Sequence, residues 1–193
     1  MPTPYHRLRL RSARPRGSVV ALLAAWLFVG HPAGGGETAA EDVKLAFLFN
    51  FAKFTEWPEP APATEVPFVI GILGEWPAAA QGEGFGGRTV HGRKVQIVRL
   101  GLKDDLRSCQ VLLLHNLEPR EVAHALEAVR SVSVLTVGDS DEFLDEGGII
   151  RFVMEGMSLR FEVHLENAAT AHLKLNSGLL ALANKVRGRR STP

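Results

Sequence analysis

Val111-Leu-Leu-Leu-His-Asn-Leu-Glu-Pro-Arg-Glu-Val-Ala-His-Ala-Leu-Glu-Ala-Val-Arg-Ser-Val-Ser-Val-Leu-Thr-Val137 changes its apolar period twice. Val111 to His115 is a continuous apolar run, the pattern of a strand buried on both faces. Glu118 to Val129 places Val122, Ala125, Leu126 and Val129 on one helical face. Val132 to Val137 is again strand-like and closes at Gly138-Asp139. A buried strand, an amphipathic helix and a second buried strand form a crossover unit, which needs a parallel sheet.

Working outward, Val66 to Leu73 and Lys94 to Leu100 read as further strands, and Leu102 to Arg107 as a linker or helical turn. Between them Trp76 to Phe85 suggests a short helix. Gly82, Gly84, Gly86 and Gly87 follow as a flexible turn, because a phosphate-binding glycine loop would leave a strand and open a helix. Downstream, Ile149 to Met154 and Ser158 to Leu165 flank Glu155-Gly156-Met157 as a hairpin. Asn167 to Val186 reads as a closing helical region, with Lys185, Arg187, Arg189 and Arg190 as cations at its end. The expected fold is α/β: a single three-layer domain over residues 41–187, with an open, mainly parallel sheet, helices on both faces and a C-terminal antiparallel hairpin. Residues 188–193 are expected to form a disordered basic tail.

Val43 to Pro58 carries the densest aromatic content, and its pattern predicts a helix entered through Glu41 and Asp42 and stopped by Pro58, joined to the sheet by an extended connector up to Pro67. Val43, Phe47, Phe51 and Phe54 make one stripe. Leu45, Phe49 and Ala52 make a second, on the side where Asp42, Lys53 and Glu56 would face solvent. Two readings follow from that second stripe: a helix sandwiched within its own domain, or an exposed surface that meets another chain.

The N-terminal segment sets the compartment. Arg7, Arg9, Arg11, Arg14 and Arg16 precede the apolar run Val19 to Val29, and small residues follow, so residues 1–40 are expected to be a secretory signal peptide with its cleavage region at Thr38-Ala39-Ala40 or Gly34 to Gly36. The run is shorter than the roughly 20 apolar residues of a spanning helix, so no stable membrane insertion is expected after cleavage. Removing residues 1–36, with five arginines and no acid, changes the balance from 22 basic and 21 acidic residues to 17 and 21, a formal −4. Such a chain lacks the basic footprint of a nucleic-acid binder. Cys109 is the only cysteine, so packing rather than an internal disulfide must hold the domain, and its expected role is that of a small buried hydrophobe.

No catalytic constellation assembles, and no cofactor or metal is expected. His115 ends a strand where open α/β sheets bind ligands; with Gly74 and Gly138 it defines a candidate crevice, the alternative being a histidine hydrogen-bonded locally. Glu162, His164 and His172 fall short of a metal-ligand spacing. Asn176-Ser177-Gly178 lacks the glycine of a nucleophile elbow. Asp139, Asp141 and Glu142 cluster near a turn, where Ser140-Asp141 would cap a short helix. Trp57 and Trp76 stand beside prolines as packing anchors or ring-stacking residues.

Four stretches taken together, VKLAFLFNFAKFTEWP (Val43 to Pro58), CQVLLLH (Cys109 to His115), VLTVGDSDEFLDEGGIIRF (Val134 to Phe152) and LRFEVHLENAATAHLKLNSGLLALANKV (Leu159 to Val186), resemble the YfiR-like periplasmic proteins of bacteria. The resemblance implies a non-catalytic repressor that binds the periplasmic sensor domain of an inner-membrane diguanylate cyclase, lowering cyclic di-GMP signalling and biofilm formation. This sequence departs from the family at His164 and Asn176-Ser177, and its lone Cys109 rules out disulfide control within one chain. The leading expectation is therefore a periplasmic regulator acting through Leu45, Phe49 and Ala52, with a homodimer as a further possibility. Two others stand beside it: a small-molecule-binding protein or enzyme using the Gly74, His115 and Gly138 crevice, and an oligomeric envelope scaffold.

Overall fold

A computed structural model describes residues 36–58, 65–76 and 87–188. The leader, most of the Pro58 to Pro67 connector, the expected Trp76 to Phe85 helix with most of the glycine run, and the tail beyond Gly188 lie outside the described residues. Helix α1 spans Gly36–Lys53 and is followed by β1 (Thr55–Glu56), β2 (Phe68–Gly74), β3 (Thr89–Val90) and β4 (Arg93–Leu100). A 3₁₀ turn at Leu106–Ser108 leads to β5 (Val111–His115), α2 (Pro119–Ala128) and β6 (Leu135–Gly138). The hairpin β7 (Ile150–Glu155) and β8 (Ser158–His164) precedes α3 (Leu165–Thr170), β9 (Lys174–Leu175), α4 (Ser177–Leu182) and β10 (Lys185–Arg187). Among the described residues no helix is long and apolar enough to cross a membrane.

The main sheet runs β10-β8-β7-β6-β5-β2-β4-β3. Strands β4, β2, β5, β6 and β7 are mutually parallel, β8 turns back antiparallel on β7, and β10 lies parallel to β8. The period of two in β5 divides the core: Val111 and Leu113 join one cluster with α1, while Leu112 and Leu114 join the other with α2. α3 and α4 add Ala168 and Leu179 to the α1 side. The three-layer α/β expectation therefore holds, with helices on both faces.

The crossover helix follows the sequence closely. Pro119 stands at its first turn, and a reciprocal Glu118–Glu121 capping box closes its N-terminus. Val122, Ala125 and Leu126 are its buried residues. Cys109, 1% exposed, packs where a Cβ on Gly71 would meet its Sγ at 3.1 Å, and its thiol donates to the Leu106 carbonyl at 3.3 Å. Burial pushes the thiol up to about 12. A maleimide at about pH 8 is therefore expected to leave the folded protein unmodified and to label it fully in guanidinium; rapid labelling of the native state would contradict this packing.

The helix built on Val43 to Pro58 differs from expectation at both ends. It begins at Gly36, so Glu41 and Asp42 lie inside it, and it stops at Lys53, well before Pro58. Thr55, fully buried, turns its hydroxyl back to the Phe51 carbonyl at 2.8 Å, and Thr55 and Glu56 pair antiparallel with Leu175 and Lys174. A long-range strand pairing thus ends the helix. Trp57 donates its indole N–H to the Ser133 carbonyl at 3.0 Å and stands edge-on to Phe68 at 5.3 Å, so it anchors packing.

The closing region is likewise not one helix. His172, at φ 58°, ends the α3 segment in the left-handed region, and Asn176 starts α4 by accepting from the Gly178 N–H at 2.7 Å. The same apolar residues therefore serve two short helices separated by β9. Lys185 and Arg187 are edge-strand residues rather than helix-end cations. Ser140-Asp141 opens a series of turns instead of a short helix. β3 escaped the sequence reading, although His91-Gly92 between Val90 and Arg93 is a two-residue hairpin turn with both residues at positive φ. Arg93 beyond it is 5% exposed and donates to the carbonyls of Val66 and Pro67 and to Gln110, tying the starts of β2, β4 and β5 together.

Candidate functional site

The parallel register brings Gly74 opposite His115 and Leu114 opposite Gly138, so the three crevice candidates do meet at the carboxyl ends of β2, β5 and β6. Two of them are glycines for packing reasons. Gly74 has φ +107°, and a Cβ there would lie 2.0 Å from the His115 carbonyl oxygen. A Cβ on Gly138 would lie 2.4 Å from the Phe143 ring, which fills that space. The crevice floor is thus closed beside Gly138, and the accessible chemistry belongs to side chains at its rim.

The rim centres on His115. Its Nδ1 donates to Asp139 Oδ2 at 2.6 Å, and the Trp76 ring stands edge-on to the imidazole at 5.4 Å. Lys44, from α1, reaches 3.5 Å from the same carboxylate oxygen and 3.3 Å from Nδ1. With the Nδ1 proton directed at Asp139, Lys44 and His115 are two donors converging on one acceptor. Burial pushes the Asp139 carboxyl up, but the hydrogen bond and charge of His115, followed by Lys44, outweigh it and hold the group below its ordinary range. A carboxyl with a lowered folded-state pKa contributes stability above its unfolded value and loses it as pH falls through the folded value. Because Asp139 is one-third exposed, Asp139→Asn is expected to cost only about 1 kcal/mol at neutral pH. The gap to wild type should close as the solution is acidified below the carboxylate range, which thermal melts along a pH series would check; a constant gap would rule out this linkage.

An open groove of about 750 Å³ runs from this rim along the hairpin, lined by Lys44, Asp139, Arg151, Met154, Met157 and Leu159 among others. Its origin is topological. β7 pairs with β6 only at Ile150 and Arg151, and β8 pairs with β10 only from Glu162 to His164, so the hairpin between them projects past both neighbours. Phe47 of α1 covers Phe152 and Phe161 in edge contacts of 5.8 and 5.9 Å. Farther out, Met154 is 65% and Met157 101% exposed. The sequence alternation marks these residues as a hairpin but gives no sign that the methionines at its tip stay exposed.

The expected surface on α1 is not a surface. Leu45, Phe49 and Ala52 are 1%, 9% and 0% exposed and belong to the core cluster, so the sandwiched reading of the helix is the correct one. The Phe49 ring lies beneath the Lys53 ammonium at 5.5 Å and the Arg88 guanidinium at 5.2 Å, which supply the polar cover that its position on the wheel suggested. The remaining candidates have structural partners. Glu162 accepts from Arg151 and Arg187 at 3.3 Å each, and His164 caps α3 by accepting from the Asn167 N–H at 3.3 Å. Asp141 binds Arg151 at 3.0 Å.

A model for a family described as YfiR/HmsC-like matches residues 41–184. No curated protein matches the sequence. Among solved structures, a conserved domain protein from Vibrio cholerae O1 biovar El Tor shares the fold at a TM-score of 0.52 and 7% identity, over 76% of this chain. The aligned part spans 60% of that protein's length.

Proposed function

Because the chain belongs to the YfiR/HmsC-like family, known as regulators of diguanylate cyclases, we propose that it is a non-catalytic periplasmic protein that inhibits a membrane-bound diguanylate cyclase by contacting the cyclase's periplasmic sensor domain. Inhibition lowers cyclic di-GMP in the cytoplasm and with it biofilm formation. The observation that carries this reading is the family match over residues 41–184, which takes in α1 from Glu41 onward, the whole sheet except β10, and the groove. The family is periplasmic and regulatory rather than catalytic, in keeping with the expected leader over residues 1–40, whose basic start precedes an apolar run from Val19 to Val29.

The contact assigned here is the groove lip at the hairpin tip, since exposed contiguous apolar surface is what a partner can cover. The purified protein is expected to capture a cyclase with a periplasmic sensor from detergent-solubilised membranes. Met154→Asp with Met157→Asp should abolish capture while changing stability by no more than about 0.5 kcal/mol, as for other surface substitutions. Capture that persists in this variant would remove the lip from the interface, and failure of the wild-type protein to bind any cyclase would remove the regulatory reading.

A second reading, a small-molecule site, draws support from Lys44, His115 and Asp139 converging at the strand ends. A metabolite screen by thermal shift tests it. A ligand of that site should raise the melting temperature of the wild-type protein and not of His115→Ala; the same shift in both would place it elsewhere.

A further inference from the structure

The chain has three methionines, and the two after Met1 stand together at the hairpin tip. Met154 faces Leu159 across the hairpin, and Met157 occupies the turn beside Gly156, whose φ is +61°. They are the two most exposed large apolar residues of the described chain, and both line the groove. Among the described residues the other sulfur and indole side chains are shielded: Cys109 and Trp76 are 1% and 5% exposed, and Trp57 is packed against Phe68 and His91. Burial also keeps the Cys109 thiol protonated, whereas a thioether needs no deprotonation to react.

We propose that Met154 and Met157 form an oxidation site, at which hypochlorous acid converts the apolar lip of the groove into a polar one while the fold persists. In each reaction the Sδ lone pair attacks the oxidant's chlorine: a sulfur–chlorine bond forms, the oxygen–chlorine bond breaks and hydroxide leaves. Water then adds to sulfur, chloride departs, and the water's two protons pass to the hydroxide and to solvent, leaving the sulfoxide. Sulfur is oxidised by two electrons and chlorine is reduced by the same two. The product sulfoxide is polar and chiral, so it no longer offers the deformable apolar contact of a thioether. A methionine sulfoxide reductase with a dithiol reverses the change, the oxygen leaving as water and the dithiol becoming a disulfide. The effect on a partner rests on the regulatory reading above; the site of modification does not.

The test is stepwise addition of hypochlorous acid to the purified protein, with peptide mass mapping, circular dichroism and capture of the cyclase sensor domain at each dose. The expected result is one oxygen on each of Met154 and Met157 at doses that leave Cys109, Trp57 and Trp76 unmodified. The far-ultraviolet spectrum should stay unchanged, and capture should be lost, then restored by reductase and dithiothreitol. In the Met154→Leu, Met157→Leu double variant the peptide map should show no oxygen at either position, and capture, at whatever level the untreated variant has, should not fall with dose. Modification of Cys109 or tryptophan before the methionines, or unfolding at the dose that oxidises them, overturns the site. Undiminished capture by the doubly oxidised protein overturns its role as a switch. If the untreated protein captures no sensor domain, the regulatory reading fails by itself, and the oxygen map still decides the site.

Discussion

Gly138→Ala is expected to destabilise the domain by about 2–3 kcal/mol, the upper part of the range for forcing an extra methyl into a packed interior. The added Cβ would meet three carbons of the Phe143 ring at 2.4, 2.4 and 2.9 Å. Phe143 is fully buried, and its opposite edge is held in the same way, because a Cβ on Gly148 would lie 2.2 Å from the ring. The ring therefore has no direction in which to yield. Gly138 does not sit at positive φ, so the alanine itself costs little and the penalty is steric. Phe143→Ala alone should cost about 3–5 kcal/mol through lost burial and the cavity left behind. In that background Gly138→Ala should become nearly neutral, giving a coupling of about 2 kcal/mol in a urea-unfolding double-mutant cycle. Additive effects would mean that the ring does not occupy this space. The same cycle separates packing from recognition at a residue that the sequence alone nominates for a ligand crevice.

Glu162→Ala is expected to cost about 3 kcal/mol, because it leaves two guanidinium groups facing each other at the sheet's end without their shared counter-ion. Glu162 and Arg151 side chains are 10% and 12% exposed, and Arg187 is 27% exposed. Arg151 also reaches Asp141, and Arg187 reaches Asp145 at 3.3 Å, so the network ties β7, β8 and β10 to the turn that carries Phe143. Strand β10, only three residues long, should lose amide-exchange protection first. Raised salt should restore little of the loss, since partly buried pairs are weakly screened. Replacing the trio together, with Arg151→Met, Glu162→Leu and Arg187→Met, should recover much of the stability that the single change removes. A Glu162→Ala protein as stable as wild type would show that the network is only surface decoration.

The charged groups in this network illustrate why individual residues were harder to read than elements. Glu162, His164 and His172 share a neighbourhood in sequence that invites comparison with a metal site. Their geometry assigns Glu162 to two arginines and His164 to a helix cap. Asp139, Asp141 and Glu142 look like one acidic cluster, yet Asp139 turns to His115 and Lys44 while Asp141 turns to Arg151. Side chains two residues apart in a turn can leave in different directions, and no periodicity records which.

The sequence by itself determined the elements whose stabilising pattern is local. β5, α2 and β6 follow from runs and periods read within one segment, and the β7–β8 hairpin from alternation around Glu155-Gly156-Met157. It also carried the family, because four loose motifs taken together, in their order and spacing, are more specific than any one of them, and the family match spans residues 41–184. Tertiary structure decided what those patterns face. Whether Leu45, Phe49 and Ala52 are surface or core depends on what packs over α1, and the end of that helix depends on a strand more than a hundred residues later. The site at the strand ends joins Lys44 to His115 and Asp139 across 71 and 95 positions. Apolar periodicity reports which face of an element avoids water, whereas the identity of the covering group is set by the packing of distant segments, which a local pattern does not encode.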